Sequence, residues 1–217
     1  MKTYPQFVWL LLVLLFRPAA SASVVVLDSF SERDFAVSNV FTVPTVTFTP
    51  GGVAERRNTY WRGNATSSYM TQSADNGTLN LRLALRSDPR PIDPSIFSLV
   101  YSNNDSVLNL LGLSHAVIRV TSFTGTGDLL LYLNGGPEPT PITLSGPGDY
   151  LLPIPVFTGG AEEIPVTRLT IDFLGRSADF AVTLDEITLI PEPSCSGLLL
   201  AGGLLVTGMR RRQRTTV

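Results

Sequence analysis

The chain of 217 residues holds one cysteine, Cys195, one histidine, His115, and one lysine, Lys2. A single thiol excludes an intramolecular disulfide framework and a Cys-x-x-Cys zinc site. A single imidazole excludes paired-histidine metal motifs and leaves one candidate base for a nucleophilic triad. Charged residues make up only 16% of the chain, and the charge is segregated. All eighteen acids lie between Asp28 and Glu192, where ten arginines and no lysine leave a formal charge of −8. A net-acidic middle lacks the basic face that a nucleic acid requires. No Gly-x-Ser-x-Gly elbow is present, since Leu144-Ser145-Gly146 does not complete one. Gly125-Thr126-Gly127 lacks the third glycine and the following helix of a dinucleotide site. Glu162-Glu163 are adjacent and would point to opposite sides of a strand, a poor pair for glycoside hydrolysis. These absences weigh against an enzyme.

The two ends are what the sequence has in quantity. Lys2 precedes the apolar run Phe7-Val8-Trp9-Leu10-Leu11-Leu12-Val13-Leu14-Leu15-Phe16. As a helix this run spans roughly 15 Å, too short for a hydrocarbon core of about 30 Å. Ala20-Ser21-Ala22 then fits a small-residue cleavage site before Ser23. Residues 1–22 are therefore predicted to be a signal peptide, cut by signal peptidase between Ala22 and Ser23. At the other end, Pro191-Glu192-Pro193 precedes a Gly- and Leu-rich run that ends at Met209, and Arg210, Arg211, Arg212 and Arg214 follow. The run from Ser194 to Met209 spans roughly 24 Å as a helix, a marginal crossing. The arginines would stay on the cytoplasmic side, so both ends predict one topology, with the middle outside.

This tail resembles the PEP-CTERM sorting signal of Gram-negative bacteria over residues 191–215. The tripeptide, short apolar helix and basic terminus stand in that family's order and spacing. The resemblance implies recognition by exosortase, an integral-membrane protease-like enzyme, with processing near Pro191, Glu192 and Pro193. It implies transient inner-membrane insertion, a mature form at the cell surface or outside the cell, and association with exopolysaccharide and biofilm. The two prolines also fix φ and remove backbone donors, which favours a short extended segment between domain and membrane.

Residues 23–190 show strand alternation far more than helical spacing. Leu79, Leu81, Leu83 and Leu85 alternate with polar or small residues, as do Leu169, Ile171 and Phe173. Leu129 to Leu133 reads as a strand buried on both faces. Phe180, Val182 and Leu184 continue to Ile187 and Leu189 with a phase slip at Asp185-Glu186 that predicts a bulge. Other predicted strands are 23–28, 44–49, 66–72, 96–101 and 115–122. The stretch 103–114 is the one candidate helix, and 135–165 reads as a long Pro-rich surface loop. Glycine, proline and asparagine breakers between the runs predict an all-β antiparallel β-sandwich of jelly-roll type. Val24-Val25-Val26-Leu27-Asp28-Ser29-Phe30 and Phe180-Ala181-Val182-Thr183-Leu184-Asp185-Glu186-Ile187 look like the first and last strands of exported jelly-roll domains, carbohydrate-binding modules among them.

Two candidate sites follow. In a jelly roll the first and last strands commonly lie side by side, so Asp28 and Asp185 are candidates to share a structural calcium ion, which takes oxygen ligands. Tyr60, Trp61 and Arg62 are candidates for a glycan platform, because an aromatic face with a polar neighbour suits a pyranose ring; Arg56, Arg57 and Arg62 form a local basic cluster. The expectation is an exported surface or matrix protein, structural or adhesive and associated with exopolysaccharide. A carbohydrate-binding module displayed by the same route is the alternative.

Overall fold

The computed structural model describes residues 23–38, 45–48, 52–62, 65–85, 95–104, 106–134, 136, 139–155 and 165–191, and Val24–Pro191 forms one compact unit. The predicted signal peptide and everything from Glu192 onward, with Pro193, Arg210, Arg211 and Arg212, lie outside the described residues. All regular structure among the described residues is strand. The order is β1 (Val25–Asp28), β2 (Phe35–Ser38), β3 (Val46–Thr47), β4 (Arg56–Arg62), β5 (Ala65–Ser73), β6 (Thr78–Leu85), β7 (Ser95–Ser102), β8 (Leu113–Thr124), β9 (Gly127–Leu133), β10 (Ile142–Leu144), β11 (Gly148–Pro153), β12 (Arg168–Gly175) and β13 (Ala181–Pro191).

The strands form two antiparallel sheets. A seven-stranded sheet runs β11-β8-β13-β6-β5-β2 with β1 also on β13, and a six-stranded sheet runs β10-β9-β12-β7-β4-β3. β6 and β1 share one edge of β13, the first along Ala181–Leu184 and the second along Ile187–Leu189, so the first and last strands are neighbours. The register of β13 against β8 shifts between Leu184 and Glu186, at the predicted bulge. The last strand runs through Pro191, whose carbonyl accepts from the Ser114 hydroxyl at 3.2 Å. A proline is tolerated there because it ends the ladder and needs no donor.

Period-2 patterning decides which face is buried. In β7, Ser95, Phe97, Leu99 and Tyr101 point inward, while Ile96, Ser98, Val100 and Ser102 point outward. Registered rows of inward residues build the core, such as Trp61–Phe97–Phe173–Leu129 and Thr59–Leu99–Ile171–Leu131. Leu79, Leu81, Ile118, Leu184 and Leu189 from the other sheet are buried against them. Each such side chain contributes about 1.5–3 kcal/mol of transfer free energy.

Two sequence expectations are corrected. No helix forms among the described residues of 103–114. Val107, Leu110 and Leu111 have helical spacing, yet Leu108 is the residue buried, whereas Val107 is 52% and Leu111 89% exposed. The Leu108 amide instead donates to Val166 at 2.7 Å. The predicted loop 135–165 contains β10 and β11, which carry the chain from the six-stranded to the seven-stranded sheet. Their short turn is held by the Tyr150 hydroxyl, which accepts from the Ser145 and Gly146 amides at 3.0 Å and donates to the Gly146 carbonyl at 2.6 Å. Three- and six-residue strands among glycines and prolines are too short for alternation to show.

A polar cluster lies inside the core and joins the sheets. Arg57 of β4 is fully buried; it donates to Asp28 of β1 and to Gln72 of β5, and its guanidinium lies 5.1 Å from the centre of the Phe30 ring. The Tyr101 hydroxyl of β7 donates to Asp28 Oδ2 at 2.9 Å, and the Phe30 amide donates to Asp28 Oδ1 at 2.9 Å. That last bond is an Asx turn, and it supports Phe30 in the left-handed region at φ 55°. Burial pushes the Asp28 carboxyl up from its ordinary value, and Arg57 pulls it partly back. Burial together with the Asp28 charge pushes Tyr101 well above the usual phenol range. Burial thus works against the attraction of the pair, whose plain effect is to fix geometry.

The calcium expectation fails on this geometry. Asp28 is turned into the core, where a guanidinium already neutralises it. Asp185 faces outward on β13 near Arg119, 3.9 Å away, with Glu186 and Asp149 on the same arginine at 3.6 and 3.2 Å. Neighbouring strands do not help when the two carboxylates leave on opposite faces. Among the described residues no group of three or more histidine, cysteine or acidic side chains is placed to hold a metal.

The chain crosses from β8 to β9 through Gly125-Thr126-Gly127 at a crowded corner. A Cβ on Gly127 would lie 2.4 Å from the Phe180 ring and 2.6 Å from the Leu174 carbonyl. Gly112, at φ +74°, has open space instead. We expect Gly127→Ala to cost about 1–3 kcal/mol by overpacking and Gly112→Ala only about 1 kcal/mol by backbone strain, as read from urea midpoints. Equal losses would show that the corner yields. Asp28→Asn strands the Arg57 charge and is expected to cost about 3–5 kcal/mol. The double change Asp28→Asn with Arg57→Met removes that charge and should recover at least half. A double variant no more stable than the single one would remove the charge from the explanation.

Candidate functional site

The sequence Arg56-Arg57-Asn58-Thr59-Tyr60-Trp61 alternates on β4, so neighbouring residues leave on opposite faces. Arg57, Thr59 and Trp61 point into the core. Arg56, Asn58 and Tyr60 point outward. The predicted platform is thereby divided: Tyr60 is 41% exposed, while Trp61 is 7% exposed and packs in the core opposite Phe97. The side chain of Arg62 lies outside the described residues. Arg56 and Arg57, one basic cluster in sequence, are likewise split between surface and core.

Registered pairing turns the outward residues into rows across the six-stranded sheet. One row is Tyr60–Ser98–Asp172–Leu130, the next is Asn58–Val100–Thr170–Tyr132, and a third is Arg56–Ser102–Arg168. Rows lie roughly 7 Å apart along the strands, and neighbours within a row about 5 Å apart. The face is not evenly open. In the first row exposure falls from Tyr60 through half-buried Ser98 to Asp172 at 5% and Leu130 at 1%. A tyrosine ring thus stands at the open side of a surface that closes toward β9.

The polar groups of these rows are unequally engaged: the Asn58 side-chain oxygen accepts from the Thr45 hydroxyl at 2.6 Å. Ser98 and Thr170 make no side-chain hydrogen bond to the described residues. The outward face of the other sheet differs. It also carries an exposed tyrosine, Tyr69. Its central polar groups, however, bond one another: Thr183 donates to Asn80 at 2.7 Å, and Asn80 donates to Thr71 at 3.2 Å.

Two anchoring residues escaped the sequence reading. Asn134, at φ 52° after β9, accepts with its side-chain oxygen from the Thr167 amide at 2.8 Å and the Arg168 amide at 3.1 Å. Its own amide donates to the Arg168 carbonyl at 2.9 Å, which fixes the start of β12. Asp128 accepts from Arg176 and from the Thr143 hydroxyl, the latter at 2.9 Å, beside the same face. Asn134-Gly135 is a turn signal, but the partner 34 residues away is set only by folding. The lone histidine, His115, has Nδ1 2.8 Å from the Ser114 hydroxyl on the other sheet, far from these rows.

No protein-family model and no curated protein matches the sequence. Among solved structures, the chain is similar to PfGH50B at 11% identity and TM-score 0.38, covering 62% of this chain and 23% of that one, so it spans about a quarter of that protein. It is similar to a family 11 carbohydrate-binding module from Clostridium thermocellum, solved with a β-1,3-1,4-mixed-linked tetrasaccharide, at 13% identity and TM-score 0.35, covering 77% and 95%. It is also similar to TmCBM61, solved with β-1,4-galactotriose, at 13% identity and TM-score 0.30, covering 75% and 90%. Similarities this distant carry no inference about what the present chain binds.

Proposed function

We propose that the chain is an exported β-sandwich of jelly-roll type that binds a polysaccharide on the outward face of its six-stranded sheet. The observation that carries this is the registered row in which exposed Tyr60 stands beside Ser98 and the sheltered Asp172, with Asn58 and Thr170 in the next row. A sugar ring has apolar C–H faces and a polar hydroxyl rim. An aromatic ring covers the first, and hydroxyl and amide side chains meet the second. The reading is binding without catalysis. It supports an adhesive role in or beside extracellular polysaccharide, with the tail from Pro191 acting as a PEP-CTERM signal for exosortase. The last strand, β13, takes in Pro191, the first residue of the tripeptide.

Affinity electrophoresis in gels cast with single polysaccharides tests the binding face. Tyr60→Ala is expected to weaken retention at least about tenfold, or 1.4 kcal/mol, with an unchanged melting temperature. Trp61→Ala is expected to lose stability by about 3–5 kcal/mol. Retention that survives Tyr60→Ala and is lost in Tyr69→Ala would move the site to the other sheet. Intact-mass measurement of the protein from its native host tests export: the expected mature chain starts at Ser23 and ends near Pro193. A membrane-bound chain running through Val217 would make the tail a plain anchor.

A further inference from the structure

We infer that the ligand of this face is an anionic polysaccharide, with its acidic groups held by Arg56 and Arg168; the inference rests on the binding reading above. The two arginines occupy one outward row, on β4 and β12, with Ser102 of β7 between them. Strand spacing puts their backbones about 10 Å apart. The pair lies roughly 13 Å along the strands from the Tyr60 row, so a chain stacked on Tyr60 and running along the strands reaches both.

Charge matching and register together set this pair apart: of the described arginines without an acid partner, Arg33 lies outside the strands and Arg82 on the other sheet, whereas Arg56 and Arg168 share one row. Arg57 meets Asp28, Arg176 meets Asp128, and Arg119 meets Asp149, Asp185 and Glu186. Neither Arg56 nor Arg168 has a carboxylate within ion-pair distance among the described residues. Arg56 donates through Nε to the Ser102 hydroxyl at 3.0 Å, which leaves its terminal amino groups for another acceptor. Glu55, its chain neighbour, is turned away to accept from the Asn104 amide at 3.1 Å. Arg168 is exposed, and its backbone is clamped by Asn134 from both sides. The nearest acid along β12, Asp172, is four residues away and buried. Two cations held in register on an open face, without internal anions, suit a polymer that repeats an acidic group. A guanidinium offers two parallel donors to a carboxylate or a sulfate alike.

The test uses the full chain and two pairs of polymers that differ only in charge: polygalacturonate with its methyl ester, and dextran sulfate with dextran. Binding is followed by affinity electrophoresis and by titration calorimetry. The expected result is binding to a charged member at least about tenfold tighter than to its uncharged partner, weakened by added salt. Arg56→Gln with Arg168→Gln should abolish that preference, and the double lysine variant should keep most of it. Arg82→Gln, an exposed arginine on the other sheet, should change nothing. A carboxylate source shows as preference within the galacturonate pair alone, and a sulfate source as preference within the dextran pair alone. Equal, Tyr60-dependent binding to charged and uncharged members would overturn the inference and leave the binding face standing. Binding to none of the four would overturn both. Should the double glutamine variant fail to fold, Arg168→Gln alone decides, since that side chain is exposed; an unchanged preference in it overturns the inference.

Discussion

A guanidinium buried between two sheets constrains nearly everything else in this domain. Arg57 reaches from the six-stranded sheet to Asp28 and Gln72 of the seven-stranded one, and Tyr101 closes the group onto Asp28. A charge in such a place is tolerated only with its partners in position. Apolar side chains can slide past one another at small cost, but a one-residue slip of β4 would turn Arg57 to solvent and bring Arg56 or Asn58 inside. The cluster therefore specifies register more than it adds stability, in line with burial raising the Asp28 carboxyl despite the neighbouring cation.

Register is what creates the outward face. Once Arg57 is fixed inside opposite Tyr101, Tyr60 must stand outside opposite Ser98, and Arg56 opposite Ser102. β12 is tied to β7 along its whole length, so Asp172 and Arg168 fall into the same rows. The interior ion pair and the exterior rows are thus two sides of one strand alignment. The tight corner at Gly127 and the Asn134 clamp hold the two ends of β9, and through it β12.

A domain built this way can bind an extended ligand without moving. Its candidate contacts sit on paired strands rather than on long loops, and rigid elements hold side chains more closely than loops do. On the proposed reading, the paired arginines in one row would favour an anionic polymer that runs across them, so electrostatics would select orientation as well as ligand.

Much of the fold could be read directly. The alternating leucines of β6, the doubly buried β9 and the bulge at Asp185-Glu186 are local patterns, and period-2 sterics turn them into strands wherever they lie. Short strands such as β10 and β11 left no such trace. The site was half legible: Tyr60 and Arg56 stood out as an aromatic and a cation, but so did Trp61 and Arg57, which the fold spends on its core. Asp28 drew notice as a metal ligand for the right neighbour and the wrong face. The sequence by itself determined an all-β chain, because periodicity is a property of adjacent residues. Only the tertiary structure decided which arginine is buried and which is left on the outward face, because that choice depends on Asp28 and Gln72, on strands of the other sheet.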